Sequence, residues 1–240
     1  MSKKVTPYKD SQLNKKQQVE QMFDNISSDY DGLNRVISFG IDVKWRKKVI
    51  DIVASTNPKS VLDIATGTGD LAIQMERTGA SEIIGVDISE GMLSIGHKKV
   101  AQANLTDKVI LQKADSEALP FEDNKFDAIT VSFGVRNFED LEKGLSEILR
   151  VLKPSGTFVV LETSVPTRFP FKQGYNLYSK FILPTIGKMF SKDRVAYKYL
   201  SESASKFPHG EAFNNILRKV GFINVKNLPQ TLGSATIYTA

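Results

Sequence analysis

The sequence predicts a doubly wound α/β sheet. Three observations predict it: short apolar runs alternate with helical patterns, those runs are apolar on both faces, and the first is followed by a glycine turn that opens a helix. The first strand is Ser60–Thr66, then Gly-Thr-Gly and a helical pattern over Asp70–Gly79. A second strand over Glu82–Ser89 leads into a helix over Gly91–Asn104. Val109–Asp115 and Phe126–Gly134 are the third and fourth strands, and a helix runs from about Asp140 to Leu152. Gly156–Ser164 is the fifth strand. After a helix over Gly210–Gly221, two strand-like runs, Phe222–Pro229 and Gly233–Ala240, share a short Gly-containing connection, which suggests an antiparallel pair at the sheet edge. Ahead of the sheet, Val19–Ser55 reads as two or three helices.

Composition bounds the function. The 240 residues, 41% of them hydrophobic, can bury one sizeable core. No apolar run approaches the roughly 18–20 residues that cross a bilayer. Residues 1–18 read as a polar, flexible tail without the apolar stretch of a secretory signal, and residues 19–240 as one domain. There is no cysteine, which excludes disulfides, thiolate metal sites and thiol catalysis, and two histidines are too few for a histidine-rich metal site. The net charge of +5 is uneven: residues 165–207 hold eight Lys/Arg against Asp193 and Glu202, a local +6, leaving −1 for the rest. The same segment carries nine of the 22 aromatics. It is either a solvated face over an aromatic core or a surface for an anionic or amphipathic partner.

Open α/β sheets bind ligands at the carboxyl ends of their strands. The first strand ends in Asp63-Ile-Ala-Thr66-Gly67-Thr68-Gly69-Asp70-Leu-Ala72, whose Gly67-x-Gly69-x-x-Ala72 fits a dinucleotide fingerprint equally well. The second strand ends in Asp87, 18 residues after Gly69, where a carboxylate can accept both hydroxyls of a ribose. Charge separates the two cofactors. A pyrophosphate on a turn flanked by Asp63 and Asp70 would meet like charges at a cost of about 1–4 kcal/mol per close pair. S-adenosyl-L-methionine has no phosphate and carries an amino group and a sulfonium, which acids suit. Asp115 ends the third strand, and Ser116 after it is placed to meet an adenine amino group. Ser132 could line the same pocket or be a plain buried strand serine.

On Asp63 to Asp70, with Asp87 and Asp115, the chain resembles the class I S-adenosyl-L-methionine-dependent methyltransferases. Tyr30-Asp31-Gly-Leu-Asn34-Arg-Val-Ile-Ser38-Phe-Gly-Ile-Asp42-Val-Lys-Trp45 and Arg150-Val-Leu-Lys-Pro154-Ser-Gly156-Thr-Phe-Val-Val-Leu-Glu162-Thr-Ser164 are similar to the paired signatures of the ubiquinone/menaquinone biosynthesis C-methyltransferases. Phe133-Gly-Val-Arg136-Asn137, Tyr197-x-Tyr199-Leu200-x-Glu-Ser203 and Phe207-Pro208 add to it. The likeness runs from about Gln21 to the end. Asp42 stands where the family pattern has His, Ser155 where it has Gly, and Ala65 replaces the first glycine of the turn.

The resemblance implies a Rossmann-like fold: a seven-stranded, mostly parallel sheet with the last strand antiparallel, helices on both faces, added N-terminal helices and a helical lid over residues 165–207. It implies a cytoplasmic enzyme, peripheral at the inner membrane face, that methylates a ring carbon of a polyprenylated quinol, demethylmenaquinol before others. It implies no nucleic-acid partner and leaves a homodimer open. The cofactor set is then Asp63, Thr66, Gly67, Thr68, Gly69, Asp87, Asp115, Ser116 and Ser132. Arg136 and Asn137 are the catalytic pair: a guanidinium can stabilise a phenolate-like oxygen but cannot be a base, because its pKa exceeds about 12. Arg136 could instead pair with an acid such as Asp140. Tyr30 and Asp31 could close over the cofactor, or Tyr30 could be core. His97 reads as exposed and His209 as a polar helix start. Phe169, Phe171, Tyr175, Tyr178, Phe181 and Phe190 are candidates for a channel around the isoprenoid tail. The alternatives are a methyltransferase for another small acceptor and an NAD-dependent oxidoreductase on the same fold.

Overall fold

The computed structural model describes residues 5–166, 169–177 and 193–240. Strands β1 (Ser60–Ile64), β2 (Glu82–Asp87), β3 (Val109–Lys113), β4 (Phe126–Ser132) and β5 (Leu152–Thr163) are parallel, and β6 (Lys226–Gln230) and β7 (Ala235–Thr239) complete a seven-stranded sheet of order β3-β2-β1-β4-β5-β7-β6. β7 runs antiparallel to both β5 and β6, so the expected edge pair forms and the last strand is the reversed one. β5 starts earlier than expected. Leu152 already pairs with Phe126, and the Lys-Pro-Ser-Gly stretch bulges before pairing resumes at Thr157.

Each face of the sheet is covered, which is why the strands carry apolar residues on both sides. On one face Leu62, Ile64, Val131, Phe158 and Val160 pack against Leu145 and Ile148 of α5 (Leu141–Val151) and Phe213 and Leu217 of the Glu211–Val220 helix. On the other, Val61, Ile83, Ala128 and Leu161 meet Val49 and Val53 of α2 (Asp42–Ala54), Leu71 of α3 (Asp70–Gln74) and Leu93 of α4 (Glu90–Gln102).

A third, smaller core lies apart from both faces. There Val19, Met22 and Ile26 of α1 (Lys15–Ile37) pack on Met92 of α4 and on Ala196 and Tyr199 of the Arg194–Lys206 helix. α1 corrects the expected boundary of the tail. It begins at Lys15, not Val19, because the Asn14 side chain accepts from the Gln17 amide while Gln17 reaches back to the Asn14 amide, a reciprocal cap. Gln18, at the end of the supposed tail, is buried and bonds Leu13 O and the Tyr8 amide. Of the 165–207 segment, a short helix over Phe171–Leu177 and the helix from Arg194 are described, consistent with a helical insertion. Tyr178, Phe181 and Phe190 lie outside the described residues. No helix among the described residues is long and apolar enough to cross a membrane.

Candidate active site

The glycine turn between β1 and α3 is held by left-handed backbone at Ala65, Gly67 and Gly69 (φ 53°, 57° and 77°). At Gly67 and Gly69 glycine takes this geometry without a Cβ penalty. The Gly67 amide donates to Asp87 Oδ2 at 2.8 Å, and the Ser89 amide to Asp87 Oδ1 at 2.9 Å. Asp87 therefore locks the turn to the end of β2 while lining the cavity that opens there. Burial raises its pKa above the ordinary carboxylate range, and the two amides oppose that rise.

The cavity sits at the carboxyl ends of β1, β2 and β4 and takes in Gly67, Asp87, Asp115, Ser116, Ser132 and Asn137. Its roof is α1: Lys16, Val19, Phe23 and Tyr30 face it. α1 is fastened at several points along its length. Lys15 Nζ donates to Arg136 O (3.0 Å) and Phe138 O (2.6 Å), and Lys16 Nζ lies 2.5 Å from Asp115 Oδ2. Asp24 Oδ1 accepts from Ser89 Oγ (2.6 Å) and the Gly91 amide (2.9 Å). Asp31 accepts from Thr68 Oγ1 at 2.7 Å and pairs with Lys99.

Among the described residues, four acids on the wall, Asp87, Asp115, Glu117 and Glu139, face one cation, Lys16. Such a lining fits a cationic ligand such as S-adenosyl-L-methionine and opposes a pyrophosphate. The source of that acidity differs from the sequence-based argument. Asp63 does not face the cavity: it is 1% exposed and accepts from Thr66 Oγ1 (2.7 Å) and Thr130 Oγ1 (2.6 Å). Burial pushes its pKa up to about 6, against the two hydroxyls. Asp70 is neutralised by Lys99 (2.7 Å) and Arg46 (3.0 Å), which outweigh burial and hold it below the usual range. Thr66, Thr68 and Gly69 likewise stand behind the turn rather than in the cavity.

Arg136 and Asn137 fall in a 3₁₀ turn over Val135–Asn137, just past β4. Asn137 lines the cavity, and its Oδ1 accepts from Tyr199 OH at 3.2 Å. Arg136 pairs with Glu162 at 2.6 Å, not with Asp140, whose side chain caps α5 through the Lys143 amide. Arg136 Nη1 also donates to Phe133 O at 2.6 Å. Burial pushes the Tyr199 phenol up to about 12, with the Arg136 charge opposing and Glu162 adding to the rise.

Tyr30 is in the roof, with its ring edge-on to Phe23 at 5.8 Å, whereas Asp31 points to Thr68 and Lys99. Asp42, in the position that resembles a family histidine, is buried against Ser38 Oγ (2.6 Å) and Arg46 (3.4 Å). His97 is exposed, and His209 lies 3.4 Å from Phe207 O just before the Glu211–Val220 helix. The residues missed from sequence are Lys16, Phe23, Glu117 and Glu139, which nothing local distinguishes, and Glu162. For Glu162 a signal existed: it ends the fifth strand as Asp63 and Asp87 end theirs.

Against known proteins, a model of the ubiE/COQ5 methyltransferase family matches residues 11–240. A demethylmenaquinone methyltransferase of Bacteroides fragilis is 48% identical over 99% of this chain and 97% of its own. A ubiquinone/menaquinone biosynthesis C-methyltransferase UbiE of Geobacter sulfurreducens is 43% identical over 99% and 92%. Among solved structures, the [4+2]-cyclase SpnF superposes with a TM-score of 0.63 at 22% identity, covering 90% of this chain and 76% of that one. Phosphoethanolamine N-methyltransferase 2 of Haemonchus contortus, in complex with S-adenosyl-L-methionine, gives 0.51 at 24% over 72% and 35%. At these identities the structural likeness speaks for the fold alone, and SpnF shows that one such fold carries different chemistry.

Proposed function

This chain belongs to the ubiE/COQ5 methyltransferase family, and from that membership we propose that it methylates a ring carbon of demethylmenaquinol, using S-adenosyl-L-methionine, to give menaquinol. The observation that carries the reading on this chain's own residues is the acid-walled cavity closed by α1, with Asp87 fixing the glycine turn at its floor. When bound, the cofactor supplies a methyl group on a positively charged sulfur. Asp87 has lone pairs left to accept ribose hydroxyls. Asp115 and Ser116 are placed beside the base. The unpartnered Ser132 Oγ and the Gly67 backbone complete the contact set. Asp63, Thr66, Thr68 and Gly69 hold the turn in shape from behind. Arg136 and Asn137 stand where the acceptor ring meets the methyl group, and α1 excludes water from that meeting.

The lipid acceptor implies work at the inner face of a membrane. Phe169, Phe171 and Leu177 are exposed on the described part of the basic segment, which supports contact with an anionic bilayer surface. The test is product mass. The protein is incubated with methyl-labelled S-adenosyl-L-methionine and reduced demethylmenaquinone, with soluble phenols and NAD in parallel. A quinol heavier by one labelled methyl supports the reading. Methylation of the phenols alone favours another small acceptor, and binding of NAD without S-adenosyl-L-methionine removes the methyltransferase reading.

A further inference from the structure

Glu162 closes the carboxyl end of β5 and is 1% exposed. Its Oε1 is fully engaged, accepting from Arg136 Nη1 at 2.6 Å, the Thr163 amide at 2.8 Å and Thr163 Oγ1 at 3.1 Å. Its Oε2 is buried and has no hydrogen-bond partner among the described residues. Two neighbours share that condition: Arg136 Nε, on the other half of the ion pair, and Ser132 Oγ at the end of β4. Buried polar atoms are almost always partnered, because an orphan loses its hydration without return. The three orphans lie at the end of β4, in the 3₁₀ turn after it and at the end of β5; Ser132 and Asn137 line the cavity, and a ligand group that passes them completes the set.

The orphan set has a definite chemistry. It offers one anionic acceptor, one cationic donor and one hydroxyl. A phenolic hydroxyl is its complement: the O–H is directed at the carboxylate, and the oxygen, as it gains negative charge, faces the guanidinium. Other titratable groups around the pair do not compete. Tyr30 on α1, Tyr199 on the Arg194–Lys206 helix and Tyr238 on β7 all have phenols raised chiefly by burial. Arg136 is no base. Asp63 accepts from two hydroxyls and does not face the cavity, and Asp87 holds the glycine turn through two amides.

We propose that Glu162 takes the hydroxyl proton of the acceptor ring, an inference that rests on the methyl-transfer reading above. The O–H bond breaks and its proton passes to Oε2. The electron pair moves through the ring, the ring carbon bonds the methyl carbon, and the sulfur–methyl bond breaks with its electrons left on sulfur. The methylated carbon then gives up its hydrogen as a proton to water while Glu162 returns its own proton to the ring oxygen. One proton is released overall, and no oxidant or reductant is needed.

The test compares wild type, Glu162→Gln and Glu162→Asp with S-adenosyl-L-methionine and a short-tailed demethylmenaquinol. Loss of a general base costs about 10²–10⁴ in rate. Glu162→Gln should show that loss in kcat with S-adenosyl-L-methionine affinity unchanged. Its residual rate should climb about tenfold per pH unit as free phenolate forms, a climb the wild type lacks. A kcat near wild type, or a loss without the new pH dependence, overturns the assignment. Should Glu162→Gln not fold, Glu162→Asp carries the test. A deficit that shrinks on a chlorinated, more acidic acceptor supports it, and an equal deficit on both acceptors overturns it. If the wild type methylates a soluble phenol and not the quinol, the substrate reading fails and the same comparison is made on that phenol.

Discussion

The Gly67 amide donates to Asp87 Oδ2 at 2.8 Å, so the acid at the end of β2 fixes the glycine turn at the end of β1. One carboxylate thus shapes the cavity floor and keeps lone pairs free for further hydrogen bonds. Asp87→Ala should weaken S-adenosyl-L-methionine binding about 10–150-fold, the equivalent of losing a charged hydrogen-bonding partner worth about 1.5–3 kcal/mol. Calorimetric titration of the folded variant measures it, and an unchanged dissociation constant removes Asp87 from the cofactor site.

Asp63 makes stability depend on pH. Its folded pKa is raised from 3.8 to about 6, so the folded state holds the proton more tightly than the unfolded chain. The associated stability is fully present below about pH 4 and is lost as pH rises through about 6, amounting to about 3 kcal/mol. Asp63→Asn lacks this group and should lack this loss. Urea midpoints of the two proteins should therefore move apart in favour of the variant between about pH 4 and pH 7. Parallel pH profiles would show that Asp63 does not titrate there.

Two non-glycine residues, Ser155 and Ala65, hold left-handed backbone here. Ser155 (φ 64°) is exposed, and Ala65 (φ 53°) is half-buried. Ser155→Gly should stabilise the protein by about 0.5–1 kcal/mol, because relief of the left-handed penalty exceeds the added chain entropy. Ala65→Gly should gain less, since its methyl packs against the core. Gly134→Ala should do the opposite: its new Cβ would stand 2.5 Å from Ala65 Cβ and 3.0 Å from Val131 Cγ1. Thermal melts of the three variants rank these effects.

Neutralising Arg168, Lys172, Lys180 and Lys188 together should lower binding to anionic vesicles, by about 1 kcal/mol for each side chain near the surface. The apparent KM for a long-tailed quinol should rise while turnover of a short-tailed analogue stays as it was. Added salt should erase the difference, because the Debye length falls below about 10 Å above 0.1 M. Vesicle sedimentation and both KM values unchanged from wild type would leave the segment an ordinary solvated face.

The sequence by itself determined the sheet. Apolar runs such as Glu82–Ser89 carry their burial in a local period, and the paired runs near the end carry their reversal in a short turn. It also determined which acids end the strands, because chain position along a parallel strand fixes which edge a residue reaches. What those acids face was decided only by tertiary structure. Asp63 is turned to Thr130, 67 residues on, and Asp70 to Arg46, 24 residues back. Lys16 reaches Asp115 across 99 residues to set the roof, and Glu162 reaches Arg136 across 26. Even the start of α1, legible in principle from Asn14 and Gln17, is secured by Met22 being buried in a core with Met92, Ala196 and Tyr199. Hydrophobic periodicity is a property of neighbours in sequence. The partner of a buried charge is a property of neighbours in space, and a carboxylate becomes a ligand, a brace or a base according to which of them desolvates it and which hydrogen bonds remain unfilled.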